Sequence, residues 1–170
     1  MTPRVAANLV IGADGSTTLK GSSRGLSFPA DRERFHELRG EFKAILIGGA
    51  TARSEPYQRT PLPLIVLTHG SLPVELSTNP LAENWNEPIS LAIPRARDLF
   101  GDLLLEVGPT LLQGALKARL VTELFLTISN VTGGENVMEI ATLIKSFEEV
   151  SRESVEGGLF LAYRLAPSHS

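Results

Sequence analysis

The chain has 170 residues, 42% of them hydrophobic and 21% charged, and its net charge at pH 7 is −3. This composition predicts one folded domain with a hydrophobic core, and the acidic balance argues against broad nucleic-acid binding, which needs a basic face. The absence of cysteine excludes disulfides, thiolate metal sites and cysteine nucleophiles. No apolar run approaches the roughly 18 residues of a membrane span, and the N-terminus lacks a signal-peptide pattern, so we expect a cytoplasmic protein.

Short apolar runs alternate with amphipathic stretches, which is typical of an α/β domain. The clearest helix is predicted over residues 29–39, where Pro29 suits the first turn and Phe35, Leu38 and Phe42 form one apolar face. Before position 70 the other predicted elements are strands over 5–11, 44–47 and 64–67, a turn over 12–15 and a loop over 16–28.

More strands are predicted in the second half of the chain. Residues 70–87 are rich in Gly, Pro, Asn and Ser, so we predict a loop there in which Trp85 serves packing. The further predicted elements are strands over 89–93, 103–105, 123–129, 140–150 and 159–165 and a helix over 109–118. The last two strands, joined by a hairpin at Gly157-Gly158, indicate an antiparallel edge on an otherwise parallel sheet. The predicted domain covers residues 1–166, and residues 167–170 form a flexible tail.

Three glycine-containing segments follow predicted strands, at 12–15, 48–51 and 106–110. Ligands of open α/β sheets bind at the carboxyl ends of the strands. There, glycine lets a phosphate approach the backbone closely, and a helix start such as the one at Pro109 supplies free N–H groups. None of the three segments is a G-x-G-x-x-G fingerprint or a P-loop. The first two segments alone are therefore equally well explained as ordinary turns. For Glu106 a purely solvated role is less favoured, because the residue precedes a glycine at a predicted strand end.

The order of these segments resembles the reductase domain of the bifunctional riboflavin-biosynthesis deaminase–reductases, within the dihydrofolate-reductase-like superfamily. The segment Glu106-Val107-Gly108-Pro109-Thr110-Leu111 differs at one residue from the Glu-Gly-Gly-Pro-Thr-Leu that is usual in that family, and residues 118–124 are similar to the family's stretch after the helix. The resemblance implies a three-layer α/β/α domain with a mostly parallel mixed sheet and antiparallel C-terminal strands. It also implies NADPH as cofactor, a pyrimidine intermediate of riboflavin synthesis as substrate, and a homodimer.

The resemblance also implies roles for individual residues. Asp14 would lie near the reacting carbon as proton donor or orienting group, which requires burial to raise its pKa. The substrate would be bound by Ser23, Arg39 and Glu106. The dinucleotide would be held by the two glycine segments, at Gly48, Gly49, Thr51, Gly108, Pro109, Thr110, Leu111 and Leu112.

Several features depart from the family pattern and leave alternatives open. The family's common first-loop aromatic is replaced by Gly25 or Leu26, and the roles of Glu55 and Arg59 stay undecided. The His-x-Glu and Pro-Cys-x-x-Cys signature of the zinc deaminase partner is absent, so we expect another protein to supply that activity. No metal site is predicted, because the histidines at 36, 69 and 169 do not cluster in the sequence. The alternatives are a reductase of a pterin or other heterocycle, and a non-catalytic nucleotide-binding regulatory protein.

Overall fold

The computed structural model describes residues 2–168, and within them eight strands and five helices alternate along the chain. The strands are β1 (Val5–Gly12), β2 (Ala44–Gly48), β3 (Leu64–Leu67), β4 (Ala82–Trp85), β5 (Leu103–Glu106), β6 (Glu123–Ser129), β7 (Phe147–Val155) and β8 (Gly158–Leu165). The helices are α1 (Pro29–Arg39), α2 (Gly49–Ser54), α3 (Ile89–Phe100), α4 (Pro109–Lys117) and α5 (Ile140–Ile144). His169 and the end of the predicted tail lie outside the described residues.

The strands form one mixed sheet in the order β4-β3-β2-β5-β1-β6-β8-β7. The first six in this order pair in parallel, whereas β8 runs antiparallel to β6, and β7 antiparallel to β8. The register places Val5 of β1 opposite Leu103 of β5, and Ile47 of β2 opposite Glu106 of β5. The predicted α/β class, with a mostly parallel mixed sheet and antiparallel C-terminal strands, is confirmed.

Apolar side chains pack against both faces of the sheet, which gives the predicted three layers. Leu103 and Leu105 of β5 belong to the core that includes residues of α3, α4 and α5, and Leu104 between them belongs to the core on the opposite face. The alternation arises because successive side chains of a strand point to opposite faces. Helix α1 covers that opposite face, where its Arg34 guanidinium stacks 5.6 Å from the Phe125 ring centroid.

Three predictions in the second half of the chain are wrong. The predicted loop over 70–87 contains β4, a short edge strand whose Glu83 and Asn84 are exposed and so lack the apolar alternation that marks a strand. The predicted strand over 89–93 is the start of α3, since Ile89, Ala92 and Ile93 are buried at helical spacing. The predicted strand over 140–150 divides into α5 and the beginning of β7.

Trp85 ends β4 and is 5% exposed within the core, with the Arg95 guanidinium 3.9 Å from its ring centroid. The prediction that Trp85 serves packing is therefore confirmed, although its placement in a loop was wrong. Among the described residues, every helix is too short or too polar to cross a membrane.

Candidate functional site

A cleft of about 900 Å³ opens at the carboxyl ends of the central strands, on the face that α1 covers. The strand-end segment after β2 and the one after β5 both line it, because the pairing of Ile47 with Glu106 sets these two strand ends side by side. The turn after β1 lies away from the cleft wall. The volume is that of a small-molecule or cofactor site.

Glu106, the last residue of β5, is held by two side chains at one wall of the cleft. Its Oε2 accepts a 2.9 Å hydrogen bond from Arg39 Nε, and its Oε1 accepts hydrogen bonds from Arg39 Nη2 and from the Tyr57 hydroxyl, each 2.6 Å long. Arg39 is the last residue of α1, so the helix end fixes the guanidinium in a bidentate fork. The structure thus brings together two of the three residues predicted to bind the substrate, and they bind each other.

Burial and the carboxylate together set the protonation of this cluster. Burial raises the pKa of Tyr57 well above 10, and the neighbouring charge of Glu106 raises it further. Burial lowers the pKa of Arg39, but the hydrogen bond and charge of Glu106 raise it more, so the net shift is upward. Both groups are therefore hydrogen-bond donors at neutral pH. A carboxylate has about four acceptor sites, so Glu106, with three in use, keeps one for a ligand.

Ser23 lines the cleft as well, but its hydroxyl is directed to another carboxylate. Glu55, which follows α2, accepts at Oε1 from Ser22 Oγ (2.9 Å), Ser23 Oγ (2.7 Å) and Ser23 N (3.1 Å). Arg24 Nε lies 3.7 Å from Glu55 Oε2. These contacts tie the first loop to the end of α2 across the mouth of the cleft. Arg59 is exposed and lies outside the cleft lining.

Most of the residues predicted to hold the dinucleotide line the same cleft. They are Gly48, Gly49, Thr51, Gly108, Pro109, Thr110 and Leu111. The first backbone hydrogen bond of α4 runs from Leu112 N to Gly108 O at 3.0 Å, so the N–H groups of Thr110 and Leu111 precede the helical ladder and are free for a ligand. A Cβ added to Gly108 would point into open space, which leaves room for a ligand against the backbone.

Leu112 does not fit the role predicted for it. Its N–H is used within the helix, and its side chain is only 1% exposed and packs in the hydrophobic core. Gly48 has a packing reason as well as a functional one, since an added Cβ would lie 2.7 Å from Leu111 Cδ1. The closeness of β2 to the start of α4 therefore depends on glycine at this position.

Asp14 is the clearest correction among the predicted site residues. It is exposed and lies outside the cleft lining, and its carboxylate is held by Ser16 of its own turn and by the backbone of Gly133. Oδ1 accepts from Ser16 Oγ (2.6 Å) and Ser16 N (3.1 Å), and Oδ2 accepts from Gly133 N (2.8 Å). These hydrogen bonds, led by that from Ser16 Oγ, lower the pKa of Asp14 from 3.8 to about 2. A proton donor at neutral pH needs the opposite shift, so the structure contradicts the proton-donor role, and the role of an orienting group stays a prediction.

The polar residues of the cleft lining that the sequence interpretation missed include Tyr57, Asn8 and Asp31. A signal for Tyr57 existed, since a buried glutamate at a strand end needs donors, but nothing in the sequence says which loop supplies them. Asn8 had a clearer signal, because it is the one polar side chain in an apolar run over 5–11. His36 lines the cleft although its side chain is exposed, and His69 lies outside it, where its Nδ1 is 2.9 Å from Asn86 Oδ1.

No protein-family model matches the chain, and no curated protein matches it either. Solved structures do match. A pyrimidine reductase-like protein from Corynebacterium diphtheriae aligns with a TM-score of 0.75 and 19% identity over 98% of this chain and 93% of its own. A diaminohydroxyphosphoribosylaminopyrimidine deaminase/5-amino-6-(5-phosphoribosylamino)uracil reductase from Thermotoga maritima aligns with a TM-score of 0.76 and 15% identity, over 97% of this chain and 57% of its own. RibD from Acinetobacter baumannii gives 0.79 and 15%, over 98% of this chain and 59% of its own.

The chain therefore spans somewhat more than half the length of the Thermotoga and Acinetobacter proteins and nearly all of the Corynebacterium protein. These likenesses confirm the fold that the sequence resemblance predicted. This chain has the fold of the pyrimidine-reductase-like proteins.

Proposed function

We propose that this protein is an NADPH-dependent reductase of a phosphoribosylamino-pyrimidine of riboflavin synthesis. The observation that carries the proposal is one cleft with two unlike walls. One wall is a glycine-bounded helix start with free N–H groups at Thr110 and Leu111, and the other is the ion pair of Arg39 with Glu106. The fold shared with named pyrimidine reductases supports this assignment of substrate class.

The two walls suit the two ligands differently. Free N–H groups at a helix start favour the phosphates of a dinucleotide. Glu106 keeps an acceptor site for an N–H or O–H of the substrate, and Arg39 donates only Nε and Nη2 to Glu106. Its remaining N–H groups have no acceptor among the described residues, so they are available to a carbonyl or phosphate.

When bound, NADPH supplies a hydride from C4 of its dihydronicotinamide ring. The substrate in its open-chain imine form gains that hydride at ribose C1 and one proton from solvent at the adjacent nitrogen. The C1=N double bond becomes a single bond, the product is the ribitylamino-pyrimidine, and NADP⁺ remains. The task of this chain is to hold the two ligands in contact, because correct positioning makes the transfer effectively unimolecular.

The test is NADPH consumption, followed by absorbance, after addition of the phosphoribosylamino-pyrimidine or, in parallel, a dihydropterin. Consumption with the first substrate and one equivalent of ribitylamino product supports the proposal. Consumption with the dihydropterin alone would assign a different heterocycle. No consumption with either, despite NADPH binding, would contradict a reductase.

A second candidate is a nucleotide-binding protein without turnover. It is favoured by the loss of Asp14 as a proton donor and by the engagement of both Glu106 oxygens with Arg39 and Tyr57. This candidate predicts saturable NADPH binding that no pyrimidine or pterin accelerates into oxidation.

We also propose that the protein is a cytoplasmic homodimer. The support for a dimer is that β7 is the last strand of the sheet, so one edge of its backbone has no partner among the described residues. Light scattering on the purified chain tests this, and a monomer at micromolar concentration would contradict it.

A further inference from the structure

Asn8 lies in the middle of β1, the strand between β5 and β6, and is 3% exposed. Its neighbours along the strand are apolar, as expected for a strand covered on both faces. Both polar atoms of its side chain, Nδ2 and Oδ1, are buried and have no hydrogen-bond partner. A buried amide with neither its donor nor its acceptor satisfied is rare in folded proteins, because burial removes the hydrogen bonds that both groups make to water in the unfolded chain.

The strand register places Asn8 beside the Glu106 cluster. Ala6 of β1 pairs with Leu104 of β5, and the paired stretch ends with Ala7 and Leu105. Continuing that register by one residue sets Asn8 opposite Glu106, on the face of Ala6 and Leu104. On its other side Asn8 pairs with Phe125 of β6. Asn8 also lines the cleft that Glu106 lines, so a ligand bound beside Glu106 lies near the Asn8 side chain as well.

Asp31 adds an independent observation of the same kind. It lies in the first turn of α1, is fully buried and also lines the cleft. Its Oδ2 accepts a 2.6 Å hydrogen bond from Ser27 Oγ, but its Oδ1 has no partner. Among the described residues, the buried side-chain polar atoms without a partner are those of Asn8 and Asp31 alone. Unsatisfied polarity is thus confined to two residues of one cleft.

We propose that Asn8 determines ligand specificity by pairing with a planar amide edge of the bound ligand, and that Asp31 Oδ1 accepts a further N–H or O–H from it. An amide edge presents a carbonyl acceptor beside an N–H donor, which matches Nδ2 and Oδ1 of Asn8. The lactam of a pyrimidine has this edge, and so does the carboxamide of nicotinamide. The inference rests on the proposed function, and it names the ligand group that the cleft recognises, a planar amide edge.

The same observation predicts an unusual effect on stability. In the ligand-free protein the Asn8 amide is desolvated without compensation, so its replacement by an apolar side chain with equally many heavy atoms removes an unfavourable group. The Asn8→Leu variant is therefore expected to unfold at the same temperature as the wild type or a higher one. Sites built for a ligand commonly oppose stability in this way.

Asn79 provides a matched control. It is also buried, at 5% exposure, but its Nδ2 donates to Tyr57 O and its Oδ1 accepts from Leu81 N. The Asn79→Leu variant leaves both partners unsatisfied and is expected to lower the unfolding temperature by several degrees. A purely structural Asn8 would behave like Asn79.

The binding arm uses calorimetric titration of wild type and Asn8→Leu with three probes, 5,6-diaminouracil, 4,5-diaminopyrimidine and NADPH. The diaminopyrimidine has the same ring and amino groups as the diaminouracil but lacks its lactam. The wild type is expected to prefer 5,6-diaminouracil by about tenfold or more, and Asn8→Leu to lose most of that preference. A loss of NADPH affinity alone would assign the amide edge to the carboxamide.

Other outcomes overturn the inference. They are a wild type that does not discriminate between the two pyrimidines while Asn8→Leu keeps full NADPH affinity, a wild type that binds none of the probes, and a fall in unfolding temperature for Asn8→Leu with unchanged binding. The proposed function fails separately. If the wild type discriminates between the two pyrimidines through Asn8 but does not bind NADPH, the result supports Asn8 as a specificity residue and contradicts the proposed NADPH-dependent reductase.

Discussion

Asp14, two residues beyond the end of β1, and Glu106, the last residue of β5, are carboxylates near the carboxyl ends of neighbouring central strands, but their surroundings differ. Glu106 is 5% exposed and is held by residues distant in sequence, Arg39 from α1 and Tyr57 from the loop after α2. Asp14 is exposed and is held mainly by Ser16 of its own turn. A strand-end position alone therefore does not make a carboxylate part of the ligand site. The side chains that fold against it decide whether it faces the cleft.

The largest effect is expected from Glu106→Ala. Arg39 and Tyr57 would lose their shared partner and remain largely buried, so the free energy of unfolding should fall by about 3 kcal/mol. We expect pyrimidine binding to weaken more than NADPH binding. Denaturant unfolding and titration with each ligand measure both effects, with Glu148→Ala on exposed β7 as the control. A loss of NADPH binding alone would contradict the assignment of Glu106 to the substrate.

A smaller loss is expected for Tyr57→Phe. The variant keeps the ring, whose centroid lies 5.2 Å from the Arg39 guanidinium, but removes the hydroxyl that donates to Glu106. A hydrogen bond to a charged group contributes about 2 kcal/mol, and denaturant unfolding should show a loss of that size. If stability is unchanged, the hydroxyl does not support Glu106 in solution.

Gly108 inside the cleft and Gly40 outside it allow a controlled comparison at the wall formed by the start of α4. In Gly108→Ala the added Cβ meets open space and the backbone φ of −74° is ordinary for alanine, so stability should be unchanged or slightly raised. The same Cβ would occupy the proposed phosphate seat, and we expect NADPH affinity to fall about tenfold, a loss of about 1.4 kcal/mol.

Gly40→Ala is the control for Gly108→Ala, since Gly40 ends α1, is exposed and lies outside the cleft lining. It should leave NADPH affinity at the wild-type value. Equal affinities for the two variants would mean that phosphates do not approach Gly108.

The smallest effect on activity is expected from Asp14→Asn. The pKa of Asp14 is lowered from 3.8 to about 2 in the folded chain, so its ionised form contributes stability above pH 3.8, and that contribution is lost as the pH falls through about 2. Unfolding temperatures of variant and wild type should therefore differ near neutral pH and converge near pH 2. Any reductase activity at neutral pH should be retained, and a loss of about tenfold or more would indicate that Asp14 takes part in the reaction.

The parallel half of the fold followed from the sequence because its strands are short apolar runs bounded by glycine, such as 44–47 and 103–105. The errors arose where an apolar run was too short to show its periodicity, or where no apolar alternation was present. The five residues from Ile89, four of them apolar, fit a strand or a helix equally well, and only the continuation to buried Ala96 reveals the helical period. Exposed edge strand β4 owes its conformation to its partner β3, which no local pattern encodes.

The site could be predicted only as far as the strand ends and helix starts could be predicted from the sequence. Arg39, Glu106 and the glycine segments after β2 and β5 all line one cleft. Tyr57 was missed, because its role depends on the distant glutamate to which its hydroxyl donates. The family resemblance implied Leu112 as a cofactor contact, but its side chain turns into the core. Sequence patterns thus located the edge of the sheet where the cleft opens, and tertiary contacts determine which side chains line it.

The most direct test of the central claim is a titration of the purified protein with NADPH and, separately, with NADH, followed by nicotinamide fluorescence. We predict saturable binding of NADPH, tighter than that of NADH, with the cleft between α4 and the Arg39–Glu106 pair as the site. Absence of binding for either dinucleotide at millimolar concentration would contradict the claim, and the glycine segments would then be ordinary turns.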